Sequence, residues 1–71
     1  MKIHESAEDY LETILMLTER IGNVRSVDVS NEMGFKKSSV SVAMKNLRTT
    51  GHITVDENGY IKLTPLGKEV A

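Results

Sequence analysis

The order of short elements between residues 26 and 64 constrains the fold of this chain more than any other feature. Apolar residues recur at helical spacing in two stretches, at about residues 27–33 and 38–50, as they do on the buried face of an amphipathic helix. Two short runs that are typical of paired strands follow at 53–56 and 60–64. A helix, a turn, a second helix and a hairpin in this order predict a winged helix-turn-helix, which is a mainly α fold with a small β-hairpin (α+β).

Glycine and serine residues indicate where these elements begin and end. Gly34 and Gly51 each follow a predicted helix, and a left-handed glycine commonly ends a helix. The pair Asn58-Gly59 lies between the two strands and supplies the positive φ that a tight hairpin turn needs. Serine side chains accept hydrogen bonds from the first N–H groups of a helix, so we expect three serines as N-caps: Ser6, Ser26 and Ser38.

A further helix is predicted on either side of this unit. The first runs from about residue 6 to 21, and its apolar face comprises Tyr10, Leu11, Ile14, Leu15, Leu17 and Ile21. Val24-Arg25 is short and extended, as in an edge strand, and Thr64-Pro65 begins a last helix with proline at its first position. In the helix at 38–50, the side chains expected to face the core are Val40, Ala43, Met44 and Leu47, and Phe35 fills the preceding turn.

Length and composition exclude several classes of protein. Seventy-one residues form one domain, and a domain of this size has little room for a catalytic cleft beside a core. The absence of cysteine excludes disulfides, thiolate metal sites and thiol catalysis. The longest apolar run, residues 14–17, is too short for a membrane span. We therefore expect a soluble, cytoplasmic protein that is not an enzyme and has no membrane partner.

Charge is distributed unevenly along the chain. Residues 1–32 hold seven acidic and three basic side chains, a balance of −4, and residues 56–71 hold three and two, a balance of −1. Residues 33–55 hold four basic side chains and no acidic one, a balance of +4, so the sum is the formal net charge of −1. Affinity for DNA depends largely on contacts with phosphates, so this local basic segment favours a nucleic-acid partner despite the near-neutral total.

The basic segment coincides with the second helix of the predicted motif. In such motifs the N-terminal part of this helix enters the major groove of double-stranded DNA. Serine hydroxyls suit base edges or phosphates, an apolar side chain suits the thymine methyl group, and lysine or arginine suits guanine or phosphate. The predicted DNA-binding residues are Arg25, Lys36, Lys37, Ser38, Ser39, Ser41, Val42, Lys45 and Arg48. The alternatives are a solvated basic face or a winged-helix module that binds protein.

Two carboxylates in the first helix form a second candidate site. Asp9 and Glu12 are three residues apart, a spacing that places both on one face of a helix, where they could bind one divalent cation. Two ligands are incomplete for manganese or iron. Acidic residues near a helix start also stabilise the helix dipole, and on spacing alone that simpler interpretation is favoured.

Four segments of the chain resemble one known family. Residues 6–17, 25–30, 38–47 and 63–68 are similar, in order and spacing, to the N-terminal domain of the diphtheria-toxin-repressor family, the metal-dependent transcriptional repressors of bacteria and archaea. The resemblance extends from about Glu5 to Ala71. The segment at residues 8–12, Glu-Asp-Tyr-Leu-Glu, is the most specific part and resembles the manganese-responsive branch.

The resemblance implies a metal-responsive repressor that acts on operator DNA as a homodimer. It implies that Asp9 and Glu12 are ligands of Mn²⁺ or Fe²⁺, with the remaining ligands in a dimerisation domain that follows. The last helix has barely begun at Ala71, so we expect residues 1–71 to be the DNA-binding domain, truncated before that second domain. The chain departs from the family at Lys36-Lys37, where proline or small residues are common, and at Val42, where some relatives have a polar side chain. A metal-independent winged-helix regulator is the alternative.

Overall fold

Residues 7–71, which the computed structural model describes, contain four helices and one antiparallel hairpin in the predicted order. The helices are α1 (Ala7–Ile21), α2 (Ser26–Met33), α3 (Lys37–Thr49) and α4 (Pro65–Val70), and the strands are β1 (Ile53–Val55) and β2 (Ile61–Leu63). The expected cap at Ser6 lies outside the described residues. No helix within residues 7–71 has the length and apolar character needed to cross a membrane.

The core is formed by one face of α1 packed against α2, α3 and the hairpin. Its buried side chains are Tyr10, Leu11, Ile14, Leu17, Val24, Val29, Val40, Met44, Leu47, Ile53 and Ile61. Ala43 and Phe35 pack against this cluster, so the predicted inward face of α3 is confirmed. The prediction for Ile21 is wrong, because this side chain is 50% exposed. It is the last residue of α1, and Gly22 at φ +82° turns the chain immediately after it.

The turn between α2 and α3 is held by three contacts. Gly34 adopts φ +73° and its N–H donates to the Ser30 carbonyl oxygen at 2.9 Å, which ends α2 as predicted. The buried Ser30 hydroxyl donates to the Phe35 carbonyl oxygen at 2.7 Å. The Phe35 ring packs on the Tyr10 ring of α1, with centroids 6.1 Å apart and planes tilted by 59°. Because Phe35 directly precedes the start of α3, these contacts position α3 relative to α1 and α2.

Two of the expected N-caps are wrong. Helix α2 begins at Ser26 with Arg25 as its N-cap, and the Asp28 carboxylate at the third helical position accepts the Arg25 N–H at 2.9 Å. Helix α3 begins at Lys37 with Lys36 as its N-cap and no side-chain cap, so Ser38 lies inside the first turn. This start places the half-buried Phe35 before the cap and the buried Val40 at the fourth position, the spacing of a hydrophobic staple. Apolar packing thus determines where α3 begins, rather than serine capping.

The hairpin has the predicted position, and Asn58-Gly59 lies in its turn as predicted. Ile53 pairs with Leu63 and Val55 with Ile61. Gly59 adopts φ +84° and no other kind of residue between 7 and 71 has a positive φ, so only the glycine of the Asn58-Gly59 pair supplies one. The expected edge strand at Val24-Arg25 is reduced to one antiparallel bridge, in which the Ile61 N–H donates to the Val24 carbonyl oxygen at 2.7 Å.

Helix α4 is fixed at its start by Thr64 and packs closely at Gly67. The Thr64 hydroxyl accepts the Gly67 N–H at 3.2 Å and donates to the Gly51 carbonyl oxygen at 2.6 Å, and Pro65 follows at the first helical position, as predicted. Gly67 is buried, and a Cβ atom placed on it would overlap the His52 carbonyl oxygen. Close packing of the helix backbone on the residue before β1 therefore requires glycine at position 67.

Candidate nucleic-acid interface

The outward face of α3 is exposed and largely polar. Ser38, Ser41, Val42, Lys45 and Arg48 are all exposed, opposite the buried face that carries Val40, Met44 and Leu47. Val42 is an apolar side chain that is 60% exposed, so it is accessible to an apolar group of a binding partner. No hydroxyl among Ser38, Ser39 and Ser41 bonds to another residue within the range 7–71. This face therefore presents donors, acceptors and one apolar group to solvent.

The four cations of this region are not neutralised by the described part of the chain. The exposed cations are Lys36, Lys37, Lys45 and Arg48. None of them forms an ion pair with a carboxylate in residues 7–71; the ion pair found there joins Arg20 and Glu32 at 2.7 Å. A surface cation without a carboxylate partner is available to bind a phosphate. The N-terminus of α3, which follows Lys36, adds the partial positive charge of its free N–H groups.

A depression of about 320 Å³, here called the α3–hairpin groove, separates α3 from the hairpin. Its polar and charged lining consists of Ser26, Ser41, Lys45 and Arg48, and its remaining lining consists of Met44, Val55, Gly59 and Ile61. Ser26 and Gly59 were not predicted as site residues. No sequence signal places Ser26 opposite α3, because that proximity arises only from the crossing of α2 and α3.

Arg25 contacts the hairpin through Tyr60. The guanidinium carbon of Arg25 lies 4.7 Å from the centroid of the Tyr60 ring, a distance at which a cation is attracted to the face of an aromatic ring. Arg25 therefore lies beside the hairpin rather than on an isolated loop. Tyr60 was not predicted as a site residue, and only the pairing of Val24 with Ile61 brings it to this position.

The tip of the hairpin, the wing of this fold, carries no cation. The Asp56 carboxylate accepts the N–H groups of Asn58 and Tyr60, each at 2.9 Å, so it stabilises the turn. Glu57 is exposed at the tip. A carboxylate at this position would repel a phosphate, so the tip is suited to a structural rather than a DNA-binding role.

Asp9 and Glu12 lie on the far side of α1 from the core. Both line an open depression together with Met16, Glu19 and Ala71 at the end of α4. Carboxylate oxygens suit Mn²⁺ and Fe²⁺ as hard ligands. However, no group of three or more histidine, cysteine, aspartate or glutamate side chains within residues 7–71 is arranged to bind a metal ion. The pair fits part of a coordination shell and is not a complete metal site.

The fold belongs to a known class. The Zalpha domain of Carassius auratus PKZ, solved in complex with Z-DNA, matches with a TM-score of 0.59 and 22% identity, over 83% of this chain and 100% of that chain. This similarity establishes the predicted winged helix-turn-helix fold.

Sequence comparison identifies the family. The family model for the iron-dependent repressor, N-terminal DNA-binding domain, matches residues 2–66, and the chain therefore belongs to that family of transcriptional repressors. Two relatives are described as the HTH-type transcriptional regulator MntR. The one from Bacillus pumilus (strain SAFR-032) is 32% identical over 65 residues, which are 92% of this chain and 45% of the relative. The one from Geobacillus thermodenitrificans (strain NG80-2) is 31% identical over 92% of this chain and 46% of the relative.

These comparisons confirm the family predicted from the sequence. They also show that the chain spans about half the length of the curated relatives it matches. The matched half is the DNA-binding domain, which agrees with an interface on α3.

Proposed function

We propose that α3 inserts into the major groove of operator DNA and that the chain serves a repressor whose DNA binding depends on a metal ion. The observation that carries this proposal is the exposed face of α3, on which unpaired cations surround hydroxyl groups and one exposed apolar side chain. Phosphate contacts supply affinity, and groups that face base edges supply specificity. Both kinds of group are present on one helix whose opposite face is buried.

Each predicted DNA-binding residue has a role that follows from its place. Ser38, Ser39, Ser41 and Val42 lie in the first half of α3, the part that contacts base edges in this motif. The cations around them act mainly on phosphates, and Lys45 is also long enough to reach a guanine edge. The residues assigned to phosphates are Arg25, Lys36, Lys37 and Arg48.

A single copy of this domain should bind DNA weakly. The basic segment has a charge of +4, whereas the chain as a whole has −1, so long-range attraction to DNA is small. We propose that the complete protein is a homodimer, with the dimerisation domain in the part of the relatives that this chain does not span. Its two copies of α3 would enter successive major grooves, about 34–36 Å apart.

Asp9 and Glu12 are the proposed metal ligands on this domain. Glu12 is exposed and Asp9 is half-buried, and both line the depression beside the end of α4; the remaining ligands would come from the dimerisation domain. Asp9 and Glu12 would hold Mn²⁺ or Fe²⁺ on this domain, and the metal would act there as a bridge to the dimerisation domain. Such a bridge would favour the arrangement in which both α3 helices match the operator, and so couple metal binding to DNA binding.

The DNA interface is tested by charge removal on α3 with a matched control. Fluorescence anisotropy of a duplex from the upstream region, measured over a salt series, gives the affinity and its salt slope. Lys45→Gln and Arg48→Gln should each weaken binding and reduce the salt slope by about 1, as loss of one phosphate contact does. Lys68→Gln in α4 removes the same charge away from α3 and should change neither value. Equal effects of all three variants would contradict the proposal.

The metal ligands are tested in the longest natural product that contains this chain. Asp9→Asn and Glu12→Gln should abolish the increase in DNA affinity caused by manganese or iron(II), and should leave the affinity in chelator unchanged. Glu19→Gln is the matched control, because Glu19 lines the same depression but is not a proposed ligand. A metal response that persists in the Asp9 and Glu12 variants would contradict their role as ligands and would mean that these acids only stabilise α1.

A further inference from the structure

Tyr60 has a place in the interface that the proposed function does not use. We propose that Tyr60 is a positioning residue, which holds the Arg25 guanidinium beside the hairpin so that it can bind a DNA phosphate. The inference rests on the proposed function, because it needs α3 to be the DNA-binding helix. It adds the hairpin to the interface through an arginine that belongs to the start of α2.

The backbone of Arg25 is fixed on both sides. Its N–H donates to the Asp28 carboxylate at 2.9 Å, and its carbonyl oxygen accepts the Asp28 N–H at 3.0 Å. The preceding residue, Val24, is fully buried and bridges to Ile61 of β2. The Cα atom of Arg25 therefore has a defined position relative to the hairpin, and only the side chain remains to be oriented.

The Tyr60 backbone is fixed in the same way. Its N–H donates to the Asp56 carboxylate at 2.9 Å, and its carbonyl oxygen accepts the Asp56 N–H at 3.1 Å. The next residue, Ile61, is the one that bridges to Val24. Arg25 and Tyr60 are thus each next in sequence to one residue of the bridged pair Val24–Ile61. The bridge brings the Arg25 guanidinium carbon to 4.7 Å from the centroid of the Tyr60 ring.

An aromatic ring orients a guanidinium without neutralising it. A carboxylate partner would occupy the N–H groups of Arg25 and cancel its charge, whereas an aromatic ring attracts the cation and leaves its charge for a phosphate. Within residues 7–71, no carboxylate pairs with the Arg25 side chain. Orienting a long side chain before binding also reduces the conformational entropy lost when the phosphate arrives.

The residues next to the pair in sequence line the α3–hairpin groove, although Arg25 and Tyr60 themselves are not among its lining residues. Ser26 follows Arg25 in sequence and Gly59 precedes Tyr60, and both of these neighbours line the α3–hairpin groove with Lys45 and Arg48. The wing tip has no cation of its own. We therefore assign Arg25 as the cation that binds a DNA phosphate on the hairpin side of the interface.

A double-mutant cycle separates positioning from a structural role. Tyr60→Leu should weaken DNA binding about two- to fivefold when Arg25 is present, which corresponds to the loss of an exposed cation–π contact. In an Arg25→Gln background, Tyr60→Leu should have almost no further effect. Tyr60→Phe keeps the ring and should retain the affinity. Arg25→Gln alone should reduce the salt slope by about 1.

The controls make failure of this inference distinct from failure of the proposed function. In an Arg48→Gln background, Tyr60→Leu should still weaken binding by the same factor, because Arg48 does not contact the ring. All titrations are made below the unfolding temperature of each variant. An equal effect of Tyr60→Leu with and without Arg25 would overturn the inference. If Lys45→Gln and Arg48→Gln also had no effect, the proposed function itself would fail.

Discussion

Replacement of Gly67 by alanine tests whether α4 packs as closely on the hairpin as the structure shows. Gly67 lies inside α4 with an ordinary helical φ, so helix propensity alone predicts that alanine stabilises the protein by about 0.5–1 kcal/mol. The structure predicts the opposite sign. A Cβ atom at this position would overlap the His52 carbonyl oxygen, and would lie 3.1 Å from the carbonyl carbon and 3.3 Å from the Leu63 Cδ2 atom.

The magnitude follows from what must move. The obstructing oxygen belongs to the backbone and accepts the Thr64 N–H at 3.0 Å, so it cannot rotate away as a side chain could. Overpacking of this kind costs about 1–3 kcal/mol, and a backbone obstacle favours the upper part of that range. After the gain in helix propensity, about 1–2 kcal/mol of destabilisation remains. For a domain of this size that lowers Tm by about 5–15 °C.

Thermal unfolding followed by circular dichroism measures this change. Lys68→Ala is the matched control, because its side chain is exposed in the same helix, and such substitutions usually change stability by less than about 0.5 kcal/mol. DNA affinity measured well below Tm should be unchanged by Gly67→Ala, since α4 packs on α1 and β2. A Tm that is equal to or higher than that of the unaltered protein would refute the close packing.

Two further predictions concern the helix turn and the wing. Ser30→Ala removes the hydrogen bond to the Phe35 carbonyl oxygen and should lower the free energy of unfolding by about 1 kcal/mol, as measured by urea denaturation; an unchanged value would show that this bond does not hold the turn. Glu57→Lys replaces a repelling carboxylate at the wing tip with a cation, and should raise DNA affinity with a salt slope steeper by about 1. An unchanged anisotropy titration would place the wing tip away from the DNA backbone.

Helical periodicity in the sequence predicted the helices and most of the core. Val40, Ala43, Met44 and Leu47 recur at a spacing that only a helix can bury on one side, and α3 buries that face. The starts of helices were predicted less well, because serine capping competes with tertiary packing. Ser38 is a good cap by type, yet the helix begins earlier, where Phe35 and Val40 can both reach the core.

Only those residues of the candidate site that lie on a single helix could be predicted from the sequence. The exposed face of α3 follows from its buried face, so Ser41, Lys45 and Arg48 could be chosen from periodicity. Contacts between distant segments have no such signal. The stacking of Arg25 on Tyr60 joins residues that are brought together by a single bridge, and composition near either residue does not indicate it.

The proposed metal ligands depend on similarity rather than on spacing. Asp9 and Glu12 are three residues apart on α1, but acidic residues are common near helix starts because they favour the helix dipole. The structure places both beside one depression and provides no third ligand group within residues 7–71. Their assignment as ligands is therefore a proposal that rests on the family resemblance, with the remaining ligands expected outside residues 7–71.

The most direct test of the account is the affinity of the longest natural product for its own upstream DNA, with manganese, with anaerobic iron(II) and with chelator, across a salt series. The account predicts binding that requires metal and weakens steeply with salt, with a slope that falls when Lys45 and Arg48 are neutralised. Binding that is sensitive to salt but indifferent to chelator would contradict metal control. The absence of binding under every condition would contradict α3 as a DNA-binding helix.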